Sequence, residues 1–174
     1  MFSLESLIWS LPLVFMLHDL EEIIMVRPWL DRESVRLRQR FPGFAERFLK
    51  QLGGLSTSGF ALAVAEEFIL LLLISLACLW WQAYTLWAGL LIAFFIHLLV
   101  HIGQFLHYRR YIPGLITTLL ASFYSLWALS ICYRLGLLVW PTILFFSLFW
   151  SLIIVGNLFF AHHLAARFDR WISR

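Results

Sequence analysis

Polar residues in this chain gather in short stretches, and long apolar runs lie between them. Five such runs stand out, at residues 4–26, 57–81, 84–107, 114–133 and 138–163. Each is close to the ~20 residues with which a helix crosses hydrocarbon while satisfying its own backbone N–H groups. The pattern predicts an all-α fold: a polytopic membrane helical bundle of about five transmembrane helices, forming a single domain over residues 1–174. Residues 28–55 are too polar to cross. Within them Phe44, Phe48 and Leu52 recur at i, i+4 and i+8, while Glu46, Arg47 and Lys50 turn elsewhere. An interfacial amphipathic helix on the cytoplasmic side is therefore expected there. The first run opens MFSLESLIWS, with a glutamate, no basic residue and no small-residue cleavage site after it. It is expected to be retained as a span rather than removed as a signal peptide.

Composition sharpens this picture. The chain is 62% hydrophobic and 13% charged, against roughly 45–50% and 25% in soluble domains, which argues against a water-soluble globule. The net charge of +3 invites an anionic partner until the charges are placed. On one side of the expected membrane lie Arg27, Arg32, Arg36, Arg38, Arg40, Arg47, Lys50, Arg109, Arg110, Arg167, Arg170 and Arg174; Arg134 alone lies on the other. Basic residues in short loops mark the cytoplasmic side, so a multi-pass protein of the cell membrane is expected, N-terminus outside and C-terminus cytoplasmic. Trp80, Trp81, Tyr84, Tyr133 and Trp140 fall at the outer ends, as interfacial anchors do. No nucleic-acid motif accompanies the basic residues, so the expected partners are membrane lipids and a lipid-like small molecule. Cys78 and Cys132 lack metal-binding spacing; both fall near the outer ends of their spans, where pairing is the alternative to the free, buried thiols expected.

Ionisable groups inside spans cost about 2.5–3.5 kcal/mol each on insertion scales, and several together need a reason. The first run ends in HDLEE, placing His18, Glu21 and Glu22 in it. The second carries Glu66 and Glu67, the third His97 and His101, and the fifth Asn157 before His162 and His163. At ~1.5 Å per residue all but the last pair lie about 9–15 Å from the inner ends of their spans, Glu21 and Glu22 somewhat shallower. Four helices thus bring polar groups to one level. His18, Glu21 and Glu22 are read as one helical face, with Asp19 turned about 100° away toward the helix end. His97 and His101 stand at i, i+4, and Gln104 and Tyr108 extend their stripe. His162 is about 140° round from Asn157, so both are not expected to face one centre. Gly59 and Ala63 precede Glu66 and Glu67 and should let a neighbouring helix approach closely.

Imidazoles and carboxylates on facing helices are the ligand set of Zn, Fe or Mn. The candidate ligands for one or two divalent ions are His18, Glu21, Glu22, Glu66, Glu67, His97, His101 and Asn157. The candidate catalytic residues are Glu22 or Glu67, as a general base toward water at the metal, and Tyr111. The expectation is a metal-dependent integral membrane enzyme with a mono- or dinuclear centre in the cytoplasmic half of the bilayer. It would act on a lipid-like substrate by hydrolysis or oxygen chemistry. The alternative is a small transporter of divalent cations or protons that uses the same cluster.

HDLEE in the first span, followed much later by Tyr111, Ile112, Pro113 and Gly114 before the fourth, resembles the HXXEE family of small integral membrane proteins. The matching positions are His18, Glu21, Glu22, Tyr111, Pro113 and Gly114, and the spacing of apolar segments is similar over most of the chain. The resemblance carries no activity with it. In physical terms Pro113 and Gly114 form a turn before the fourth helix, and Tyr111 is expected over the cytoplasmic mouth of the cluster.

Overall fold

The computed structural model describes residues 3–174 apart from 44, 47, 48 and 50–52. Five long helices make up the fold: α1 (Leu4–Arg40), α2 (Thr57–Trp80), α3 (Tyr84–Tyr108), α4 (Leu115–Arg134) and α5 (Thr142–Ile172). No strand occurs among the described residues. Helices α2 to α5 are each long and apolar enough to cross a membrane. Helix α1 falls short by composition, because Glu5 and the HDLEE segment sit in its first half and a basic stretch fills its second.

Helix α1 packs on α2 and α4, α2 on α5, α5 on α3, and α3 on α4. That order closes a ring, α1-α2-α5-α3-α4. Large side chains such as Leu13, Leu17, Phe123, Leu148 and Phe159 face outward and are exposed, whereas His18, Asp19 and His101 are buried inside. A chain with apolar groups outside and ionisable groups inside is arranged for lipid, not water. Trp80, Trp81, Tyr133 and Trp140, exposed at helix ends, belong to one end of the bundle.

Two boundaries differ from the sequence reading. Helix α1 does not stop near residue 26 but runs to Arg40, through Pro12 and Pro28. A proline removes one intrahelical bond, and packing compensates here: Trp29, Leu30 and Leu37 are buried against Tyr108 and Ile112. Residues 28–40 are therefore an extension of α1, not part of a separate surface helix. The stripe of Phe44, Phe48 and Leu52, with Arg47 and Lys50, lies outside the described residues. Helix α5 runs nine residues past 163, because its last turns also have a partner. Ala161 and Ala165 pack with Ala63, and Asp169 accepts hydrogen bonds from the N–H (2.7 Å) and hydroxyl (2.5 Å) of Ser56, the N-cap of α2. A Cβ at Gly59 would lie 2.5 Å from the Asp169 carboxylate. The small residues at 59 and 63 thus admit α5 as expected.

Cys78 and Cys132 are both free and buried, in the apolar core at the Trp80 end.

Candidate metal centre

The register of α1 decides what its polar residues meet. Taking about 100° per residue, Glu22 lies ~40° to one side of His18, Asp19 ~100° to the same side, and Glu21 ~60° to the other. The ring of helices divides that fan in two. His18, Glu22 and Asp19 face the interior, while Glu21 faces α4.

Across the interior stands α3, whose i, i+4 pair presents both imidazoles. His97 and His101 face each other Nε2 to Nε2 at 3.2 Å. The Nε2 of His101 is 3.1 Å from Glu22 Oε1, and the Nε2 of His18 is 3.9 Å from the same oxygen. One ligand atom each from His18, Glu22, His97 and His101 lies within 4.8 Å of the other three. A tetrahedron with metal–ligand bonds of about 2.0–2.1 Å has edges of roughly 3.4 Å, so the four need close in by little to share one divalent ion. The buried Nε2 of His18 has no hydrogen-bond partner, and leaving such an atom unpaired is costly. Three imidazoles and a carboxylate, with the ring nitrogens His18 Nε2 and His101 Nδ1 both unpartnered, suit a borderline cation such as Zn²⁺ or Fe²⁺.

Glu21 stands apart from this set and orders it from behind. Its carboxylate accepts from Tyr111 OH (2.7 Å), from the backbone N–H of Thr117 (2.7 Å) and of Ile116 (3.3 Å), and from the Thr117 hydroxyl (2.6 Å). It therefore caps α4, whose N-terminal N–H groups lack intrahelical partners. Since Thr117 gives its only hydroxyl proton to Glu21, its oxygen can only accept from His18 Nδ1, 3.2 Å away. That fixes the proton of His18 on Nδ1 and frees Nε2 toward the centre. Such a back-bond commonly orients a ligating histidine. Gly114 makes the approach of α4 possible: its φ is +80°, and a Cβ there would be 2.9 Å from Glu22 Oε1 and 3.1 Å from His18 Cε1.

The remaining candidates are distributed around one cavity of about 840 Å³. Asp19, Glu22, Glu67, His97, His101 and Asn157 all line it. Asp19 was not among the expected site residues, but it is buried, with Oδ1 3.9 Å from His18 Nε2. Its position follows from the 100° fan, which puts it nearer to Glu22 than Glu21 is. Glu66 turns from the cavity and accepts a 3.0 Å bond from Asn157 Nδ2, leaving Glu67 as the member of that pair that faces inward. His162 and Asn157 both line the cavity despite their angular separation, because the cavity is long and they meet it at different depths. Tyr111 is held on Glu21 rather than over the centre. Burial, then its bond to Glu21, raises the Tyr111 phenol above its ordinary range.

Five helices around a buried His/Glu cluster define a helical membrane protein whose interior could hold a metal ion. The profile described as "protein of unknown function with HXXEE motif" matches residues 9–128, and the chain belongs to this HXXEE family. The matched stretch contains all four converging residues. No curated protein and no solved structure matches the chain.

Proposed function

We propose that the protein is a metal-dependent membrane enzyme that binds one divalent ion through His18, Glu22, His97 and His101 and acts on a lipid-like substrate. The observation that carries this reading is the convergence of those four ligand atoms within 4.8 Å, with Glu22, His97 and His101 lining a mostly apolar cavity. When bound, the ion supplies Lewis-acid polarisation of a carbonyl or phosphoryl oxygen and makes water acidic enough to attack near neutral pH. The chain's own residues do the rest. Thr117 and Glu21 hold His18 in the ligating tautomer. Asp19 and Glu67 line the cavity without belonging to the converging set, and one of them accepts the proton that water releases. The apolar walls exclude bulk water from the reacting centre. The distribution of basic residues supports a cell-membrane orientation with the N-terminus outside and the centre nearer the cytoplasmic surface.

Elemental analysis of purified protein tests the metal. The expected result is about one transition-metal ion per chain, lost in His18→Ala and in the His97→Ala/His101→Ala double variant while helicity and elution volume are retained. Metal-free wild type, or full occupancy in both variants, would falsify the reading.

A further inference from the structure

The cavity is stratified, and the same order appears on every helix that lines it. Toward the Trp80 end its walls are apolar: Phe15 from α1, Leu71 and Ile74 from α2, Leu90 and Phe94 from α3, Trp150 from α5. Next comes the level of the His/Glu cluster. Beyond it the lining turns mixed, with Gln104, His107 and His162 among apolar neighbours. Residue numbers rise toward the mixed end on α1, α3 and α5 and fall on α2, as alternating helix directions require. Leu90 precedes His97 by seven residues, so the apolar chamber is about 10 Å deep. It ends at a packed core, in which Leu11 and Trp87, each about one turn beyond Phe15 and Leu90, are wholly buried. The Trp150 indole is pinned in the wall by a 2.9 Å bond to the Leu86 carbonyl.

We propose that this chamber is the seat of a single alkyl chain, so that the substrate is a one-chain amphiphile bound tail-first. Its reacting head sits at the cluster, and its polar remainder points toward Gln104, His107 and His162. The inference rests on the metal-centre reading and narrows its substrate class. A polar head has no partner among the chamber's walls, where its desolvation would go uncompensated; an alkyl tail loses nothing there. A total volume of about 840 Å³ lies within the roughly 300–1,000 Å³ of sites for one small ligand. Two long chains and a headgroup would not be enclosed by it.

The test uses full-length protein in nanodiscs, loaded with Zn²⁺, and a series of alkyl hydroxamates from butyl to hexadecyl. The hydroxamate head chelates the ion and the tail probes the chamber. Wild-type affinity is expected to rise about fourfold per methylene and to stop rising once the tail fills the chamber. Leu90→Trp and, independently, Ile74→Phe fill part of it. Both should move that break to shorter chains and weaken dodecyl hydroxamate at least tenfold with Zn²⁺ content unchanged. Leu148→Trp, on the outer face, should move nothing. An affinity that climbs alike in wild type and both filled variants reflects partition into lipid and overturns the chamber while leaving the metal centre standing. The companion series of alkyl alcohols, run on metal-free protein, separates the two readings. A length limit there without any measurable Zn²⁺ binding would keep the chamber and remove the metal.

Discussion

Thr117 has one hydroxyl proton, and the choice of where it goes reaches the centre of the molecule. The Glu21 carboxylate takes it at 2.6 Å, which obliges His18 to donate from Nδ1 and to offer Nε2 inward. Replacing Thr117 by Val removes that constraint while the backbone N–H groups of residues 116 and 117 and the Tyr111 hydroxyl still hold Glu21. The expected result is metal affinity weaker by about 10–100-fold in chelator competition, as for other back-bonded histidine ligands, with Thr117→Ser close to wild type. Equal affinity in Val and wild-type proteins would show that the bond merely fills space. Of the candidate site, His18, Glu22, His97 and His101 were legible from spacing and depth alone. Glu21 was misplaced because HDLEE was read as one face. Glu21 and Glu22 are adjacent, hence about 100° apart, and a helix surrounded by others presents them to different neighbours. The same arithmetic hid Asp19. Only the helices beside α1 decide which side of the fan looks inward.

At the scale of elements, the second half of α1 is a brace across the ends of other helices. The Trp29 indole donates to the Tyr111 carbonyl (2.8 Å) and Arg40 donates to the carbonyls of Tyr108 (2.9 Å) and His107 (3.3 Å), which end α3 without intrahelical partners. Glu33 sits at the junction. It accepts from Tyr108 OH and from Arg36 (2.9 and 3.1 Å), with Arg110 at 3.9 Å. The Tyr108 hydrogen bond, and after it Arg36 and Arg110, hold the Glu33 carboxyl below its ordinary range despite partial desolvation. A carboxyl whose folded pKa is depressed contributes stability above its unfolded value, near 4.5, and that contribution fades as pH falls through the folded value. Hydrogen exchange over residues 29–40 should therefore quicken as pH is lowered below about 4.5, after correction for intrinsic rates. Glu33→Gln should exchange faster at neutral pH and show less acid dependence. No difference between the two proteins would mean that apolar packing of Trp29, Leu30 and Leu37 alone holds the brace. This element was the least legible in sequence. Residues 28–55 read as a stretch too polar to cross, and the contact that carries α1 on through its first part, with residues near 108 and 112, is some 80 residues away along the chain.

For the molecule as a whole, the number of helices and the ends of α2, α3 and α4 followed from run length, because lipid forces each apolar segment of ~20 residues into a helix. The ring order did not follow, since hydropathy says nothing about neighbours. It matters for function, because it sets α1 and α3 across the interior from each other and leaves a cavity between them with one apolar end. An ion travelling through the bundle would pass the cluster and then meet Phe15, Leu90 and Phe94. Beyond them lies a core in which Leu7, Leu11 and Trp87 are wholly buried and belong to one packed cluster. Among the described residues no carboxylate lies on that course, and buried hydroxyls such as Ser75 and Ser125 stand singly, so the barrier is close to that of a bare ion in hydrocarbon-like surroundings. A chain-bearing substrate faces no such barrier and need not cross at all. Purified protein in liposomes is therefore expected to pass neither protons nor divalent cations faster than empty vesicles, measured with a pH-sensitive dye and a metal-sensitive dye in the lumen. Glu67→Gln should leave that background unchanged, because on the enzyme reading the cavity carboxylates line a reaction site rather than a path. Flux above background that disappears in Glu66→Gln or Glu67→Gln would move the cluster from catalysis to transport, and would require the packed core at residues 7, 11 and 87 to open.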